Sequence, residues 1–341
     1  MVSLAQIPRG ISVVIPIYNE EENAADCYTE LKSVLERVCA QLSWQHEMIF
    51  VDDGSRDKTV DILLRAGAGD ESLRIIQLRR NFGQTAAMAA GLDLARYHIV
   101  VTMDGDLQND PSEIPRMIQK LSEGYDMVAG WRRNRQDRLI SRKLPSKMAN
   151  WLISRLTRVK LHDYGCTLKA MTHEVAKGIR LYGEMHRFIP ALADEMGARI
   201  CELPVNHRAR KAGVSKYGIS RTFRVVLDLL TVKFLLGYSK RPIHFFGALG
   251  LASGGLGALI LAWITYQRFF MQVPMGNRPL LALSVMLVLI GLQFLMFGLL
   301  GEVMARTYYE SQDKKIYVIR KVIGARGAAE QLDAGQQRAI G

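Results

Sequence analysis

Short apolar runs alternate with longer amphipathic segments through the first part of the chain. The apolar runs are rich in β-branched residues and predict strands at 11–17, 47–53, 72–78, 98–104 and 126–130. Helical patterns fill the intervals, most clearly at about 20–40 and 83–96. Because the strands are apolar on both faces and helical lengths separate them, the pattern predicts an α/β fold in which helices cover a mostly parallel sheet.

A different pattern begins after Lys240, where two long blocks carry no formal charge. The blocks span 245–264 and 279–301, and each reaches the ~20 residues that a helix needs to cross a bilayer. The run SGGLG in the first block would weaken a soluble helix, but glycines are common in membrane helices. The blocks therefore predict two transmembrane helices, and two buried helices of a soluble core are the disfavoured alternative.

Positive residues flank this pair of blocks on both sides and are scarce between them. The cations that precede the blocks are Arg221, Arg224, Lys233, Lys240 and Arg241. The cations that follow them are Arg306, Lys314, Lys315, Arg320 and Lys321. The connector holds only Arg268 and Arg278. The positive-inside rule therefore places both termini, and with them the long N-terminal part of the chain, in the cytoplasm, with a short external loop.

These patterns divide the sequence into four parts. We expect a cytoplasmic catalytic domain over 1–217, a transmembrane hairpin over 242–302 and a cytoplasmic C-terminal tail over 303–341. Between the first two, residues 218–241 predict an amphipathic juxtamembrane helix. Its apolar face fits either the membrane interface or the surface of the catalytic domain.

Charge and composition narrow the classes of ligand. The formal net charge of +12 favours anionic partners, which include phosphates, anionic lipids and nucleic acids. The four cysteines are far apart and form no C-x-x-C pair, so they are expected to be reduced thiols. The sequence has no zinc-type histidine spacing, no P-loop and no G-x-G-x-x-G after the first strand. The absence of the last of these motifs disfavours a nicotinamide-type dinucleotide site.

Oxygen-bearing side chains follow the fourth predicted strand at every second position, as Asp104, Asp106 and Gln108. Gly105 lies between the two acids and permits a tight turn. Two carboxylates and an amide are hard oxygen ligands, and Mg²⁺ or Mn²⁺ prefers a few such ligands together with phosphate oxygens of a substrate. The alternative is a solvated turn with acids that cap the next helix, which is the role we expect for Asp110.

A second pair of acids, Asp52 and Asp53, ends the second predicted strand. In parallel sheets, ligands bind at the carboxyl ends of the strands. These acids are therefore expected to accept hydrogen bonds from a base or a ribose. After the first strand, Asn19 is predicted to cap the first helix.

Two segments are strongly basic, at 131–147 and 207–218. Arginine forks match phosphate oxygens, and basic loops that contain glycine suit closure over a diphosphate. The alternative for each segment is a solvated face or a membrane-surface patch.

In combination, six motifs resemble the polyprenyl-phosphate glycosyltransferases of glycosyltransferase family 2. The resemblance covers about residues 10–320 and rests on VVIPIYNEEEN, VDDGSRDKT, RNFGQTAAMAAGLDLA, MDGDLQNDP, HDYGCTLKAM and RKAGVSKYG. It implies a GT-A fold, which is Rossmann-like with a mostly parallel sheet. It also implies transfer of a sugar, a hexose such as glucose, from a nucleotide donor to polyprenyl (undecaprenyl) phosphate with inversion.

The resemblance assigns roles residue by residue. The catalytic metal ligands, for Mg²⁺ or Mn²⁺, are Asp104, Asp106 and Gln108. The nucleotide-binding positions are Pro16, Tyr18, Glu20, Asp52, Asp53, Arg210, Ser215 and Lys216. The acceptor-phosphate positions are Arg132, Arg142 and Lys169, where Lys169 stands in place of the usual arginine. Whether Arg208 or Arg210 is the main diphosphate contact stays open.

The resemblance also implies partners and a location. The expected partners are a nucleotide sugar, a polyprenyl phosphate and the membrane, with no nucleic acid and with homo-oligomers possible. The expected location is the bacterial inner (plasma) membrane. The expected base is uracil, with guanine as the alternative.

Two other functions would require features that this sequence lacks or would not need features that it has. A processive polysaccharide synthase would carry a Q-x-x-R-W motif, which QDRLI at 136–140 does not match, and more than two spans. A non-catalytic membrane protein that binds anions would not need acids that converge at two strand ends.

Overall fold

The computed structural model describes residues 7–133, 159–181, 185–208, 242–272, 274, 279–311 and 315–324. These residues fall in two compact units. One unit contains the described residues up to 208 together with 315–324, and the other contains those from 242 to 311. The predicted juxtamembrane helix at 218–241 lies outside the described residues.

The first half of the first unit, which contains the predicted catalytic domain, follows the predicted alternation of strands and helices. Its elements are β1 (Gly10–Ile17), α1 (Ala24–Leu42), β2 (Gln45–Asp52), α2 (Thr59–Ala66), β3 (Leu73–Leu78), α3 (Gln84–Leu94), β4 (Ile99–Thr102), α4 (Ile114–Ser122) and β5 (Met127–Trp131). A short 3₁₀ turn, Pro111–Glu113, leads into α4. All predicted strands are present, with bounds that differ by one or two residues at most ends.

The second half adds three strands that the pattern does not predict. Its elements are β6 (Lys169–Thr172), α5 (His173–Gly178), a 3₁₀ turn (Met185–Phe188), α6 (Ile189–Glu195), β7 (Ile200–Pro204) and β8 (Ile319–Ile323). The strands form one eight-stranded sheet in the order β7-β5-β6-β4-β1-β2-β3-β8. Strands β4, β1, β2 and β3 are parallel neighbours, while β6 and β8 run antiparallel to theirs. The predicted α/β class with a mostly parallel sheet is confirmed.

The core lies between this sheet and its helices. Strand β1 is buried along its whole length, as expected for a central strand with helices on both faces. On one face α1 buries Leu31 and Leu35 against the sheet. On the other face α3 approaches β1 so closely that a Cβ on Gly91 would lie 2.2 Å from Cγ1 of Val14. This close packing fixes the carboxyl ends of the central strands relative to the helices that follow them.

The first helix begins four residues later than predicted, and the expected cap is wrong. Helix α1 starts at Ala24, after Asn23. Asn19 instead adopts a left-handed backbone with φ 53°. Its side-chain oxygen accepts a hydrogen bond from the backbone N–H of Arg56 at 2.9 Å. Asn19 therefore joins the β1–α1 loop to the β2–α2 loop, which a local capping rule cannot predict.

The second unit is a pair of long helices, α7 (Pro242–Phe270) and α8 (Pro279–Ser311). Both contain a segment long and apolar enough to cross a membrane, Phe246–Phe270 and Pro279–Gly301. Only 22% and 11% of the residues in their most apolar windows are buried. Core helices of a soluble protein would be mostly buried, so this exposure favours lipid contact.

Small residues bring the two helices together. A Cβ on Gly291 would lie 2.7 Å from the carbonyl oxygen of Gly250 and 2.7 Å from the Cα of Gly254. Near the other end of the contact, a Cβ on Gly257 would lie 2.7 Å from the carbonyl oxygen of Ser284. Close backbone approach at small residues is how membrane helices pack without a hydrophobic driving force.

Candidate active site

The loops that follow β1 and β2 form one bonded assembly at the carboxyl edge of the sheet. The backbone N–H of Asn19 donates to the hydroxyl of Ser55 at 2.9 Å. The N–H of Glu20 donates to the hydroxyl of Thr59 at 2.9 Å. These bonds, with the bond between Asn19 and Arg56, give a rigid rim to the edge where ligands bind in sheets of this type.

The acids Asp52 and Asp53 are both buried and both organise loops. One carboxylate oxygen of Asp52 accepts from the N–H of Ser55 at 2.9 Å. The two oxygens of Asp53 accept from the N–H groups of Phe82 and Gly83, at 2.7 and 2.9 Å. Burial raises the pKa of Asp53, against the opposing effect of these two bonds. Asp53 therefore holds the β3–α3 loop in place with both of its oxygens.

Gly54 makes the turn after these acids possible. It has a left-handed φ of 75°, and a Cβ there would lie 2.7 Å from the backbone carbonyl carbon of Arg80. Only glycine satisfies both the conformation and the close approach.

A cleft of about 280 Å³ opens beside this turn, across the ends of β1, β2, β3 and β8. Its lining residues are Tyr18, Asp52, Gly54, Ser55, Arg56, Gln77, Leu78, Arg79, Arg80, Asn81 and Arg320. Of the described residues predicted to bind a nucleotide, Tyr18 and Asp52 line this cleft. Pro16 lies buried within β1, and the carboxylate of Glu20 accepts from the side-chain amide of Asn23 at 2.7 Å.

The turn after β4 places Asp104 and Asp106 beside β1. A Cβ on Gly105 would lie 2.7 Å from Cγ2 of Ile17, so the small residue is needed for packing. Leu107, on the same turn, has a left-handed φ of 61°. The N–H of Gln108 donates to the carboxylate of Asp106 at 3.2 Å. The turn is therefore closely packed and internally bonded.

Two neutral donors orient the carboxylate of Asp104. The side-chain amide of Gln84 donates to one oxygen at 2.7 Å, and the hydroxyl of Thr167 donates to the other at 2.7 Å. Burial, reinforced by the negative charge of Asp106, raises the pKa of Asp104 to about 6. These two contacts orient the Asp104 carboxylate without adding a positive charge next to it, which suits a site for a cation.

No group of three or more histidine, cysteine or acidic side chains in the described part of the chain could hold a metal by itself. Asp104 and Asp106, with the half-buried amide of Gln108, form an incomplete set of hard oxygen ligands. Magnesium and manganese sites of this kind are completed by water and by substrate phosphate oxygens. The residues fit a divalent cation that binds together with a phosphorylated ligand.

Of the predicted acceptor residues that are described, Arg132 directly follows β5 and Lys169 begins β6. Arg132 makes a bidentate pair with Asp163, with N–O distances of 2.6 and 2.9 Å. Lys169 is buried in β6, and its ammonium group donates to the backbone carbonyl of Cys166. Burial lowers the pKa of Lys169. Arg132 is therefore fixed by an acid, while Lys169 is enclosed beneath the site.

The remaining predicted residues, Arg142, Arg210, Ser215 and Lys216, lie outside the described residues. Arg208 is described, and its guanidinium pairs with Glu30 at 2.6 Å and with Asp110 at 2.8 Å. Asp110 also accepts from the N–H of Ser112 at 3.0 Å, as expected for a residue that caps the turn before α4.

Sequence reasoning missed several residues at this edge. Gln84 stands within a motif that carried the family resemblance, but nothing in the sequence showed that its amide contacts Asp104. Thr167 also stands within one of these motifs, HDYGCTLKAM, but nothing in the sequence showed that its hydroxyl contacts Asp104. The arginines of the cleft come from three segments of the chain, and Arg320 was assigned to the tail.

Comparisons with known proteins agree with this geometry. Residues 12–180 match the family model described as glycosyl transferase family 2. A dodecaprenyl-phosphate galacturonate synthase from Rhizobium johnstonii is 49% identical over 92% of this chain and 92% of its own length. An undecaprenyl-phosphate 4-deoxy-4-formamido-L-arabinose transferase from Pseudomonas fluorescens is 36% identical, over 94% of this chain and 92% of its own. The resemblance to polyprenyl-phosphate glycosyltransferases is thereby confirmed.

A solved structure shares the fold at lower identity. It is glucosyl-3-phosphoglycerate synthase from Mycobacterium tuberculosis in complex with Mn²⁺, uridine-diphosphate-glucose and phosphoglyceric acid. The similarity covers 66% of this chain and 79% of that one, with 18% identity and a TM-score of 0.51.

Proposed function

Because this chain belongs to glycosyl transferase family 2, we propose that it transfers a sugar from a nucleotide sugar to a polyprenyl phosphate at the bacterial inner membrane. The observation that carries the proposal is the pair Asp104 and Asp106, held beside β1 at the carboxyl edge of the sheet. The names of the two relatives, which specify dodecaprenyl and undecaprenyl phosphate, support the class of acceptor. Family membership disfavours the alternative of a non-catalytic anion-binding protein.

On the donor side, Asp104, Asp106 and Gln108 would hold Mg²⁺ or Mn²⁺. The ion supplies positive charge to the departing nucleoside diphosphate. Gln84 and Thr167 keep the Asp104 carboxylate aimed at the phosphates without consuming its charge. The nucleoside lies along the ends of β1, β2 and β3, in the cleft lined by Tyr18 and Asp52.

On the acceptor side, the lipid phosphate is already anionic at neutral pH. One of its oxygens forms a bond to the anomeric carbon as the bond from that carbon to the diphosphate breaks. Attack from the opposite face inverts the configuration, and no general base is needed. Arg132, positioned by Asp163, is proposed to orient this phosphate together with Arg142. Lys169, whose buried ammonium group donates to the Cys166 carbonyl, does not reach the acceptor in this proposal.

The proposed reaction also gives a role to the two apolar helices. The helices α7 and α8 would span the bilayer, so that the acceptor is met at its surface and held beside the donor. Strand β8 follows α8 in the chain and belongs to the catalytic sheet. This return supports an arrangement in which both ends of the hairpin are on the cytoplasmic side.

The sugar is proposed to be a hexose or a hexose derivative carried by a uridine diphosphate. Glucose was the expectation from the sequence. The galacturonate of the first relative is the uronic acid of a hexose, so UDP-galacturonate is the donor to test beside UDP-glucose. The third donor to test is a uridine-diphosphate derivative of the pentose that is named for the second relative.

A transfer assay tests the proposal. The purified full chain is incubated in detergent with undecaprenyl phosphate, Mn²⁺ or Mg²⁺ and this panel of donors, and mass spectrometry detects a glycosylated lipid monophosphate. A product with one donor is the expected result. A folded protein that yields no product with any donor, while a polyprenyl phosphate is present, would contradict the proposed reaction.

The metal assignment has its own variants. Asp104→Ala and Asp106→Ala are expected to lower turnover by about a hundredfold or more, because the diphosphate loses its counter-charge. Asp61→Ala, a change of the same kind at an exposed position of α2, serves as the control. Near-normal turnover of either active-site variant would contradict the metal assignment.

A further inference from the structure

The last described strand reaches the donor cleft by an irregular pairing. Strand β8 runs antiparallel to β3, with Gln77 opposite Lys321 and Leu78 opposite Ile319. Arg320 lies between these two pairs and has no partner in the register. This is a β-bulge, a feature that redirects a side chain and that often occurs next to active sites.

The segment around Arg320 is fastened on both sides. The ammonium group of Lys315 and the hydroxyl of Tyr317 both contact the same carboxylate oxygen of Asp93, at the end of α3. The N–H of Arg79 donates to the carbonyl of Val318 at 3.0 Å. Ile319 and Val322 are buried on either side of the exposed Arg320. Its position is therefore set by the fold of the catalytic unit.

The cleft that Arg320 lines is strongly basic. Its lining contains four arginines, from three separate segments of the chain, and one acid, Asp52. Within the described part of the chain, the guanidinium of Arg320 has no carboxylate partner. Each arginine offers five donors and no acceptor, so the cleft suits a ligand that is rich in acceptor oxygens.

The position of the cleft in the sheet indicates which end of a donor it would meet. Strand β8 is separated from β4 by β1, β2 and β3, and neighbouring strands lie about 4.8 Å apart. Arg320 therefore lies roughly 19 Å along the edge from β4, the strand that Asp104 follows. A nucleotide sugar with its diphosphate at Asp104 would extend its base and ribose toward β2, β3 and β8.

We propose that Arg320 binds the nucleoside end of the donor, by donating hydrogen bonds to base carbonyl or ribose oxygens. The inference rests on the proposed function, because it takes the diphosphate to be bound at Asp104 and Asp106. The inference extends the donor site to β8, a strand that follows both apolar helices in the chain.

Nucleotide binding tests the inference separately from transfer. Calorimetry with UDP and UMP, and with GDP and GMP for the other base, is carried out on the full chain in detergent. Arg320→Ala is expected to weaken the diphosphate and the monophosphate by a similar factor of about ten or more. The matched control is Lys321→Ala, a neighbouring exposed cation, which is expected to bind as the unaltered chain does.

The possible results are distinct. Unchanged binding by Arg320→Ala would overturn the inference, as would a loss for the diphosphate alone or an equal loss in the Lys321 variant. Failure of the unaltered chain to bind any nucleotide would overturn the donor assignment of the proposed function, and this inference with it. Melting temperatures confirm that each variant is folded. If Arg320→Ala is unfolded, binding is measured with Arg320→Lys, which keeps the charge but loses the planar fork. Weaker binding of both nucleotides supports the inference, and unchanged binding overturns it.

Discussion

Asp104 shows how single side chains prepare the site. Its two oxygens are fixed by an amide and a hydroxyl, from residues that are 20 and 63 positions away in the chain. Neither donor is charged, so the carboxylate is oriented and remains available to a cation. The acids themselves were predictable, because their alternation after an apolar strand is visible in the sequence. Their supporting donors were not, because these contacts exist only once distant segments have folded together.

The first consequence concerns Thr167. Thr167→Val keeps the shape of the side chain but removes the hydroxyl, and it is expected to lower transfer by about tenfold, because one carboxylate oxygen loses a hydrogen bond to a charged group. Thr167→Ser keeps the hydroxyl and serves as the control. Steady-state transfer rates at saturating acceptor measure the effect, and equal rates in the two variants would contradict the orienting role.

The second consequence concerns pH. The metal-free carboxylate of Asp104 has a pKa raised to about 6, so protons compete with a cation below that pH. The affinity for Mn²⁺ is expected to fall roughly fourfold between pH 7.5 and pH 5.5, as the ionised fraction falls. The same pKa shift means that the stability of the metal-free protein decreases as pH rises from about 4 to about 6, because the folded state holds the proton more tightly.

Titration of Mn²⁺ at the two pH values measures this linkage. Asp104→Asn cannot take part in the competition, so its weaker affinity is expected to lose most of the pH dependence. A pH dependence of the same size in that variant would assign the titration to another group.

At the scale of elements, the strands with clear apolar runs were predictable and the others were not. Strands β1 to β4 are central, buried and β-branched, and their sequence pattern expresses that burial directly. Strand β6 is four residues long and begins with a buried lysine, and β7 is only partly buried. Strand β8 combines apolar and basic residues, and it lies in the segment that the sequence predicted to be a cytoplasmic tail. These three strands are short or lie at an edge of the sheet. They form because neighbouring strands pair with them, and a local sequence pattern does not show such pairing.

The helix pair gives a prediction at this scale. Gly291→Leu places a side chain where the backbone of Gly250 and Gly254 already lies, and it is expected to destabilise the pair by about 1–3 kcal/mol. Gly255→Leu is the matched control, since a Cβ there meets no atom within 4 Å. Thermal unfolding in detergent compares the two variants. Equal stability would show that the close approach of these helices does not matter.

At the scale of the whole molecule, the apolar helices interrupt the catalytic unit. The described residues of that unit come both before α7 and after α8. Under the proposed function, two spans return the chain to the side of the membrane from which it started, which agrees with the excess of cations on both flanks. The sequence predicted the spans and the charge asymmetry. It could not predict that the segment after them completes a sheet begun at residue 10.

Labelling of introduced cysteines tests this arrangement. Pro274→Cys, in the connector, is expected to react with a membrane-impermeant thiol reagent in cells with a permeabilised outer membrane. Gly324→Cys, just after β8, is expected to react only once the inner membrane is also opened. The unaltered chain, with its four native cysteines, gives the background. The reverse pattern would contradict the cytoplasmic placement of the catalytic unit.

The late position of β8 also sets an order of events during synthesis. A ribosome makes the first seven strands of the sheet, then both apolar helices, and only afterwards the strand that carries Arg320. Until then the outer edge of β3 is unpaired and one wall of the arginine-lined cleft is missing. The cleft is therefore completed only after both apolar helices have been synthesised, so under the proposed function the donor site would be the last part of the catalytic unit to form.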